Sequence, residues 1–237
     1  MPAVPEFQCS AIVVAAGSSS RMGGKVRKPY LKLKGRPILS WTLGALGRIP
    51  QLRQIVLVTR PEDRRRAANA AKLAKLPKYV RLDFADGGAR RQDSVFNGLN
   101  ATAADADLVL IHDAARPFPA QDAMLHACVS ALGGGAAILA CRVKDTVKRA
   151  VAGSIAIEET VPRDGLWLAQ TPQVFQRTLI LDLFQRIAKK PPAKEFTDDA
   201  SICEYFNMAV ALIESSDRNI KVTRPEDIEI AEAFLEG

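Results

Sequence analysis

The segment 10–36 carries the strongest chemical signal in this sequence. An apolar run at 11–16 leads directly into the small and basic sequence Gly-Ser-Ser-Ser-Arg-Met-Gly-Gly-Lys at 17–25. Small residues let backbone N–H groups approach a phosphate closely, and a following helix adds the positive end of its dipole. No acidic residue occurs between Glu6 and Glu62, so nothing in this stretch neutralises the basic charges. The pattern predicts a strand followed by a loop that binds a strongly anionic ligand.

Two well-known phosphate-binding motifs do not fit this loop. The Walker A motif, G-x-x-x-x-G-K-[ST], is absent because Met22 stands at the second glycine and Val26 follows Lys25. The dinucleotide fingerprint G-x-G-x-x-G fails at Ser19. Glycine- and serine-rich turns also occur simply to reverse the chain. The loop by itself therefore leaves a purely structural turn open.

A carboxylate and a guanidinium follow the apolar run at 108–112. Asp113 could orient a metal ion or a sugar hydroxyl, and Arg116 could bind a phosphate with its two-pronged donor face. The alternative is an ion pair at the end of a strand that braces the loop.

The elements that must position these residues alternate regularly up to Arg142. Apolar runs predict strands at 11–16, 55–59, 79–84, 108–112 and 136–142, and amphipathic segments predict helices at 38–48, 62–75, 91–103 and 121–132. This order predicts an α/β, Rossmann-like fold with a mostly parallel twisted sheet covered on both faces. Ligands of such sheets bind beyond the carboxyl ends of the strands. The loop at 17–25, Gly87-Gly88 and Asp113 are all expected at that edge.

The pattern changes after Arg142. The segment 143–162 alternates like a β-hairpin around a Gly-Ser turn at 153–154. Because a two-stranded hairpin is marginal in water, it needs a partner surface, and the simplest one is a second copy of the chain. The alternative is a hairpin that folds against its own domain. Further along, we expect helices at 177–189 and near 198–205, a strand at 210–214 and a terminal helix.

The pentapeptide Thr-Arg-Pro-Glu-Asp occurs twice, at 59–63 and at 223–227. Each copy is expected to end a strand and to start a helix, with proline at the first helical position and acids in the first turn. We interpret the repetition as repeated helix capping rather than as a repeated fold.

Composition limits the class of protein. The 237 residues are 48% hydrophobic and 25% charged, which suits one large α/β domain. The net charge of +7 would permit nucleic-acid binding, but aromatic residues make up only 6% and no helix-turn-helix or zinc-finger spacing occurs. The basic charge is therefore expected to serve small anionic substrates rather than nucleic acid.

The cysteines and the N-terminus indicate a cytoplasmic protein. The four cysteines are widely separated, form no C-x-x-C motif and have two histidines as possible partners in metal binding, so we expect reduced thiols. The longest apolar runs have strand length, and the N-terminus lacks the features of a signal peptide. We expect neither export nor a membrane partner.

Seven motifs occur in order over nearly the entire chain. They are Ala15-Ala16-Gly17 with Arg21-Met22, Gly87-Gly88 with Arg91-Gln92-Asp93-Ser94-Val95, His112-Asp113-Ala114-Ala115-Arg116-Pro117, Asp145-Thr146, Arg163-Asp164-Gly165-Leu166-Trp167, Gln170-Thr171-Pro172-Gln173, and the run from Asn219 through Lys221 to Asp227. The series closely resembles the 2-C-methyl-D-erythritol 4-phosphate cytidylyltransferase family of the non-mevalonate isoprenoid pathway. The first motif is shared by many sugar nucleotidyltransferases, whereas the stretches 146–173 and 219–227 are much narrower signatures.

The resemblance implies a single nucleotidyltransferase domain over 1–237, with a β-arm at 143–164 for dimerisation and substrate binding. It also implies a reaction, in which the phosphate of methylerythritol phosphate attacks the α-phosphorus of CTP in the presence of Mg²⁺ and releases pyrophosphate. A phosphate monoester is already anionic near pH 7, so catalysis reduces to alignment and charge stabilisation. Both histidines can then be idle.

The resemblance further assigns roles to individual residues. Arg21 and Lys28 would be catalytic by stabilising charge on the α-phosphate and the pyrophosphate. The residues implied to bind CTP are Ala15, Ala16, Gly17, Ser18, Ser19, Ser20, Gly88, Ser94, Asp113 and Ala114. Asp113 would also bind the metal ion. The residues implied to position the acceptor are Arg116, Thr146, Arg163, Thr197 and Lys221, with Thr146 and Arg163 reaching over from the partner's arm in a homodimer.

Three departures and two rival functions qualify this assignment. Ser19 replaces a frequent second glycine, Ala89 stands where some relatives carry an acid, and Arg-Lys-Pro-Tyr at 27–30 replaces the usual Pro-Lys-Gln and aromatic. Lys28 is thus placed by its spacing from Arg21, with Lys25 as a weaker competitor. One rival is a cytidylyltransferase for another polyol phosphate, such as ribitol 5-phosphate, although the arm and 163–167 favour methylerythritol phosphate. The other is a non-catalytic protein that binds nucleotides or nucleic acid through the basic loop.

Overall fold

The structure is a computed structural model that describes residues 5–17, 27–193 and 195–236. The strands are β1 Cys9–Val14, β2 Lys32–Leu33, β3 Arg36–Pro37, β4 Leu52–Thr59, β5 Arg81–Asp86, β6 Leu108–Asp113, β7 Ala136–Arg142, β8 Val147–Ala150, β9 Ile157–Val161, β10 Trp167–Gln176 and β11 Ala211–Glu214. The helices are α1 Ile38–Leu46, α2 Arg64–Ala74, α3 Arg91–Asn100, α4 Gln121–Gly134, α5 Arg177–Lys189, α6 Ala200–Tyr205 and α7 Glu226–Ala233. Within these ranges, no helix combines the length and the apolar character needed to cross a bilayer.

The described strands form one large sheet and two small ones. The large sheet has seven strands in the order β11-β7-β10-β6-β1-β4-β5. Its neighbouring strands are parallel, except that β10 runs antiparallel between β6 and β7. The predicted α/β fold with a mostly parallel sheet is therefore confirmed.

Both faces of the sheet are covered, as the apolar runs predict. Strand β4 contributes Ile55 and Leu57 to a core shared with α1, α2 and α4, whereas Val56 and Val58 enter a second core with α3, α5 and α6. Alternate side chains of a strand point to opposite faces, so a strand buried on both sides must be apolar throughout. Because these strands run parallel, their carboxyl ends lie along a single edge of the sheet.

The sequence interpretation missed three of the described strands, namely β2, β3 and β10. The segment 167–176 entered it as two motifs and not as a strand, and a proline inside a run is unusual for a central strand of a sheet. The structure accommodates Pro172 through an irregularity in the pairing with β7 between Ala169 and Gln173. The motif Gln-Thr-Pro-Gln thereby lies in the middle of the sheet, next to β6 and Asp113.

Several boundaries also differ from those expected. Strand β1 ends at Val14 rather than at residue 16, so Ala15 and Ala16 belong to the loop. Strand β5 lies at Arg81–Asp86 instead of 79–84, and α3 ends at Asn100 rather than at residue 103. Each shift at the carboxyl end of a strand changes which residues are free to face a ligand.

The predicted hairpin is present. Strands β8 and β9 pair antiparallel and form a two-stranded sheet apart from the main one. Its turn and flanks expose apolar side chains, with Val151 at 44%, Ile157 at 64% and Ile155 fully exposed. The alternative interpretation was a hairpin that folds against its own domain. These three side chains are not buried against that domain.

Candidate active site

A cleft of about 680 Å³ lies at the carboxyl edge of the sheet, beyond β1, β5 and β6. The described residues that line this cleft include many of those singled out from the sequence. They are Ala15, Ala16, Gly17, Lys28, Gly88, Ser94, Asp113, Ala114 and Lys221. Arg21, Ser18, Ser19, Ser20 and the competing Lys25 lie outside the described residues. Three separate loops thus converge on one cleft, as the α/β topology predicts.

Glycine at 87 and 88 is explained by protein packing. A Cβ atom on Gly87 would lie 2.3 Å from the Cβ of Ala16, and one on Gly88 would lie 2.4 Å from the Cβ of Asp93. The N–H of Gly88 donates to Ser94 Oγ at 2.9 Å, and that hydroxyl donates in turn to a backbone carbonyl at 3.2 Å. The turn after β5 is therefore held tightly, with its backbone at the surface of the cleft.

Lys28 begins a short 3-10 turn, Lys28–Tyr30, beside the cleft. The preceding Arg27 forms ion pairs with Asp63 and with Glu62, whose Oε1 lies 2.9 Å from Arg27 Nη2. Asp63 is buried, so this anchor for the backbone at Lys28 is partly shielded from solvent. The unusual Arg-Lys-Pro-Tyr order at 27–30 therefore has a structural reason.

The two copies of Thr-Arg-Pro-Glu-Asp make different contacts. In the second copy, Asp227 lies in the first turn of α7, and its Oδ2 accepts hydrogen bonds from the N–H groups of Thr223 at 2.6 Å and Arg224 at 2.8 Å, which tie the helix to the residues before it. Pro225 precedes α7, whereas it was expected to occupy the first helical position. Among the described residues, no strand ends at that copy, since the preceding strand, β11, ends at Glu214. The expectation that each copy ends a strand is therefore wrong there. In the first copy, the acids instead bind Arg27, and Arg60 Nε donates to the carbonyl of Ala16 at 3.0 Å. The first copy thus fastens loops of the cleft.

Asp113 is the most strongly paired group of the cleft. Its Oδ2 lies 2.6 Å from Lys221 Nζ, and its Oδ1 lies 3.5 Å from Arg91 Nε. Its backbone N–H donates to Thr171 Oγ1 at 3.1 Å. Burial alone would raise the pKa of Asp113, but Arg91 and Lys221 together hold that pKa well below its usual range. The group is a carboxylate at any physiological pH.

His112 is buried behind this carboxylate. The carbonyl of Arg116 can only accept, so His112 Nε2 carries the proton and donates it at 2.9 Å. In the neutral ring Nδ1 then accepts the hydroxyl proton of Thr171 at 3.0 Å, while Thr171 Oγ1 accepts from the backbone N–H of Asp113. Burial lowers the pKa of His112 to about 4, so the ring is neutral near pH 7. His112 is a brace for the 112–116 loop rather than an acid–base group.

The residues implied to position the acceptor are spread over different parts of the described chain. Lys221 lies in the cleft. Arg116 Nη1 donates to the carbonyl of Asn219 at 2.6 Å, and its Nε is buried with no hydrogen-bond partner among the described residues. Thr197 is exposed shortly before α6.

Thr146 and Arg163 do not line this cleft within their own chain. Thr146 is exposed next to β8, and the guanidinium of Arg163 donates to the carbonyl of Lys144. Arg163 lines a separate cavity of about 720 Å³ at the base of the arm. Within the described residues, one chain therefore does not bring Thr146 and Arg163 to the cleft.

The sequence interpretation gave no role to two charged residues that pair with each other next to Asp113. Arg91 Nη2 lies 2.8 Å from Asp199 Oδ2, and the same guanidinium reaches Asp113. The two residues are 108 positions apart, so no local spacing could pair them. Arg91 had appeared only as part of a motif, and Asp199 only inside the helix expected near 198–205.

The carboxylate of Asp113 has the chemistry of one ligand in a magnesium site. The described residues contain no group of three or more His, Cys, Asp or Glu side chains that could hold a metal ion. Mg²⁺, however, commonly takes only one or two protein carboxylates together with waters and substrate phosphates. One ionised carboxylate beside a cleft with the dimensions of a nucleotide is compatible with that mode of binding.

The fold and the cleft define a nucleotide-binding α/β enzyme of the transferase type, with small residues, a lysine and a carboxylate at the carboxyl ends of parallel strands. The family model described as 2-C-methyl-D-erythritol 4-phosphate cytidylyltransferase matches residues 9–237. The chain belongs to this family.

Individual relatives agree over the full length. A 2-C-methyl-D-erythritol 4-phosphate cytidylyltransferase from Geobacillus kaustophilus is 42% identical over 225 residues, which are 95% of this chain and 96% of that protein. The crystal structure of 4-diphosphocytidyl-2C-methyl-D-erythritol synthase from Anaerococcus prevotii superposes with a TM-score of 0.83 at 31% identity, covering 98% and 97% of the two chains. The Thermus thermophilus cytidylyltransferase structure gives a TM-score of 0.77 at 30% identity, covering 98% and 100%.

Proposed function

We propose that this chain transfers the cytidylyl group of CTP to the phosphate of 2-C-methyl-D-erythritol 4-phosphate and releases pyrophosphate. The product is 4-diphosphocytidyl-2-C-methyl-D-erythritol, an intermediate of isoprenoid synthesis. The observation that carries the proposal is the 2.6 Å contact between Lys221 and Asp113. That contact brings the segment 219–227, one of the narrowest motifs of the family, to the end of β6 and into the cleft that the loops after β1 and β5 also line.

The loops after β1 and β5 bind the nucleotide. Ala15, Ala16 and Gly17 are small, so the backbone after β1 can approach the phosphates, and 18–20 continue the cradle. Gly88 faces the base and the ribose, and Ser94 acts mainly by holding Gly88 through its 2.9 Å hydrogen bond. A pyrimidine suits the limited space above this tight turn.

Lys28 and Arg21 stabilise the charge that develops on the α-phosphate and on the leaving pyrophosphate. The ion pairs of Arg27 with Glu62 and Asp63 keep Lys28 in place before the substrate arrives. Such preorganised charges lower the barrier of phosphoryl-type transfer because they need no rearrangement during the reaction.

The acceptor phosphate is itself the nucleophile, so the enzyme must align it rather than deprotonate it. Lys221 draws the phosphate of methylerythritol phosphate towards Asp113, and the half-buried Arg116 and the exposed Thr197 contribute to the same subsite. No histidine is needed, since His112 is neutral and hydrogen-bonded on both nitrogens. The chemistry is attack in line with the departing pyrophosphate.

A bound Mg²⁺ would neutralise charge on the triphosphate. Asp113 is the residue that would hold the ion. Ala114 and the rest of the loop after β6 would shape that side of the cleft. The ionised state of Asp113, maintained by Arg91 and Lys221, suits a hard cation.

The arm completes the acceptor subsite of a second chain in a two-fold dimer. Thr146 and Arg163 lie away from the cleft of their own chain, and Ile155 at the arm's turn is fully exposed. An exposed apolar tip is stabilised by contact with another surface, and a reciprocal exchange of arms satisfies both copies at once. Arg163 then binds the acceptor in the partner's cleft.

The four cysteines support a cytoplasmic enzyme. All four are buried and free. Burial raises the pKa of Cys128 and of Cys203 to about 12, so these thiols are unreactive. Disulfides are rare in reducing compartments, and a chain that keeps four thiols unpaired suits such a compartment.

A coupled pyrophosphate assay tests the function. The enzyme is given methylerythritol phosphate or ribitol 5-phosphate, each with CTP, UTP, ATP or GTP. We expect pyrophosphate release with methylerythritol phosphate and CTP, and a kcat/KM at least about a hundredfold higher for CTP than for either purine nucleotide. Preference for ribitol 5-phosphate would refute the acceptor, comparable rates with ATP would refute cytidylyl transfer, and no release with any pair would indicate a binding protein.

A further inference from the structure

Arg91 lies between two carboxylates that come from distant parts of the chain. Its Nη2 is 2.8 Å from Asp199 Oδ2, and its Nε is 3.5 Å from Asp113 Oδ1. The side chain of Asp199 is 1% exposed and that of Asp113 is 12% exposed. A charge this deeply buried is costly unless it is paired, so Asp199 holds Arg91 firmly.

Asp199 is held in turn by the central strand β10. The side-chain oxygen of Gln173 accepts hydrogen bonds from the N–H groups of Asp199 at 3.0 Å and Ala200 at 2.9 Å. The amide of Gln173 donates to Asp198 Oδ2 at 2.7 Å. The start of α6 is thereby fixed to the sheet, and Asp199 with it.

The second cation on Asp113 is of a different kind. Lys221 contacts Oδ2 at 2.6 Å, but its side chain is 46% exposed and it lies in a segment without helix or strand. A lysine has a flexible stem and a single point charge, so it can move to another anion at small cost. One oxygen of Asp113 faces an anchored cation, and the other faces an exchangeable one.

We propose that Arg91, anchored by Asp199, is a positioning residue that keeps Asp113 oriented and charge-compensated while Lys221 moves to the phosphate of the acceptor. The proposal rests on the cytidylyl transfer described above. Arg91 does not touch the reacting atoms in this role. It prevents Asp113 from competing with the acceptor for Lys221.

Removal of Arg91 should change how tightly Asp113 holds Lys221. Without the guanidinium, Asp113 depends more strongly on Lys221, and Lys221 becomes less available to the acceptor phosphate. The KM for the acceptor then rises. The KM for CTP changes much less, because CTP keeps its contacts with the loops after β1 and β5 and Lys221 still keeps Asp113 ionised. A guanidinium bridges both carboxylates, whereas an ammonium reaches one of them, so Arg91→Lys is expected to be intermediate.

Steady-state kinetics of Arg91→Gln, Arg91→Lys and Asp199→Asn test the proposal, with CTP and methylerythritol phosphate varied separately. We expect Arg91→Gln to raise the acceptor KM about tenfold or more and to lower kcat, with the CTP KM within about twofold of wild type. Arg91→Lys and Asp199→Asn should show the same pattern more weakly. Arg186→Gln is the matched control, because it removes an exposed arginine that pairs with Asp182 at 2.8 Å on α5.

A double substitution separates positioning from simple bracing. Lys221→Gln should cost less in the Arg91→Gln background than in wild type, because Lys221 is already withheld from the acceptor there. Additive losses, or equal rises of both KM values together with a lower melting temperature, would overturn the proposal. If Arg91→Gln does not fold, the same comparison is made with Arg91→Lys.

The outcome is also distinguishable from a failure of the proposed function. An inactive wild-type enzyme with every nucleotide and acceptor refutes the cytidylyl transfer itself. An active wild type whose Arg91 variants keep the wild-type acceptor KM refutes only the role of Arg91.

Discussion

Gly87 and Ala16 are in contact although they belong to loops after different strands. A Cβ atom on Gly87 would lie 2.3 Å from the Cβ of Ala16, a separation that real Cβ atoms essentially never show. The loop after β5 and the loop after β1 therefore fit together only because residue 87 has no side chain. The nucleotide cleft is formed where these two loops meet.

Gly87→Ala is expected to force the two loops apart. Overpacking of this kind typically costs about 1 to 3 kcal/mol, and here it would also displace the backbone that we propose to contact CTP. We expect a lower melting temperature and a CTP KM raised about tenfold or more, measured by calorimetry and steady-state kinetics. Gly133→Ala in α4 is the control, since a Cβ there meets nothing within 4 Å. A Gly87→Ala enzyme with the wild-type CTP KM would contradict this account of the cleft.

Lys28→Ala is expected to lower kcat far more than it raises the KM for CTP. Removal of one preorganised charge donor costs about 3 to 4 kcal/mol in the transition state, which is roughly a hundredfold to a thousandfold in rate. Arg21→Ala should behave in the same way. Lys25→Ala serves as the comparison, and a severe defect there with a mild one at Lys28 would show that the loop is assigned in the wrong register.

Mixing two inactive variants tests the exchange of arms. Arg163→Ala should weaken use of methylerythritol phosphate while leaving CTP binding nearly intact. A heterodimer of Arg163→Ala and Lys28→Ala chains contains one cleft in which both residues are wild type. Random exchange should restore up to about a quarter of the wild-type activity, since half of the dimers carry one intact site. Exchange that is demonstrated by mass spectrometry without any recovered activity would mean that each site is built from a single chain.

His112 makes the stability of the fold depend on pH. Its pKa is lowered to about 4 by burial, against about 6.5 in an unfolded chain. The unfolded state binds more protons between these values, so the contribution is fully present above pH 6.5 and is lost as the pH falls towards 4. The loss amounts to about 3 kcal/mol in the free energy of unfolding.

Urea denaturation between pH 4 and pH 7 checks this expectation. His112→Gln should be less stable than wild type at pH 7, because the braces to Thr171 and Arg116 are altered, but its stability should fall less steeply with acid. His126→Gln replaces an exposed histidine and should keep the wild-type pH dependence. An unchanged slope in His112→Gln would mean that other groups carry the acid sensitivity.

The sequence by itself determined the fold class and the edge at which the site lies. Alternation of apolar runs with amphipathic segments depends on local periodicity, and the period of a strand or a helix is visible without tertiary contacts. The small residues after β1 and the polar residues after β6 indicated an anion site for the same reason, because backbone access and side-chain charge are local properties. The hairpin at β8 and β9 was also readable from its alternation.

Tertiary structure alone decided the pairings between distant residues. Strand β10, which contains Pro172, is not recognisable from the local sequence. The irregularity that allows a proline in this central strand lies in its pairing with β7 and does not depend on neighbours in sequence. Arg91 and Asp199 are 108 positions apart, and the burial of Asp199, which shields their ion pair from solvent, exists only in the folded protein. Local periodicity predicts which element a residue belongs to, but it contains no information on which buried charge will face it across the core.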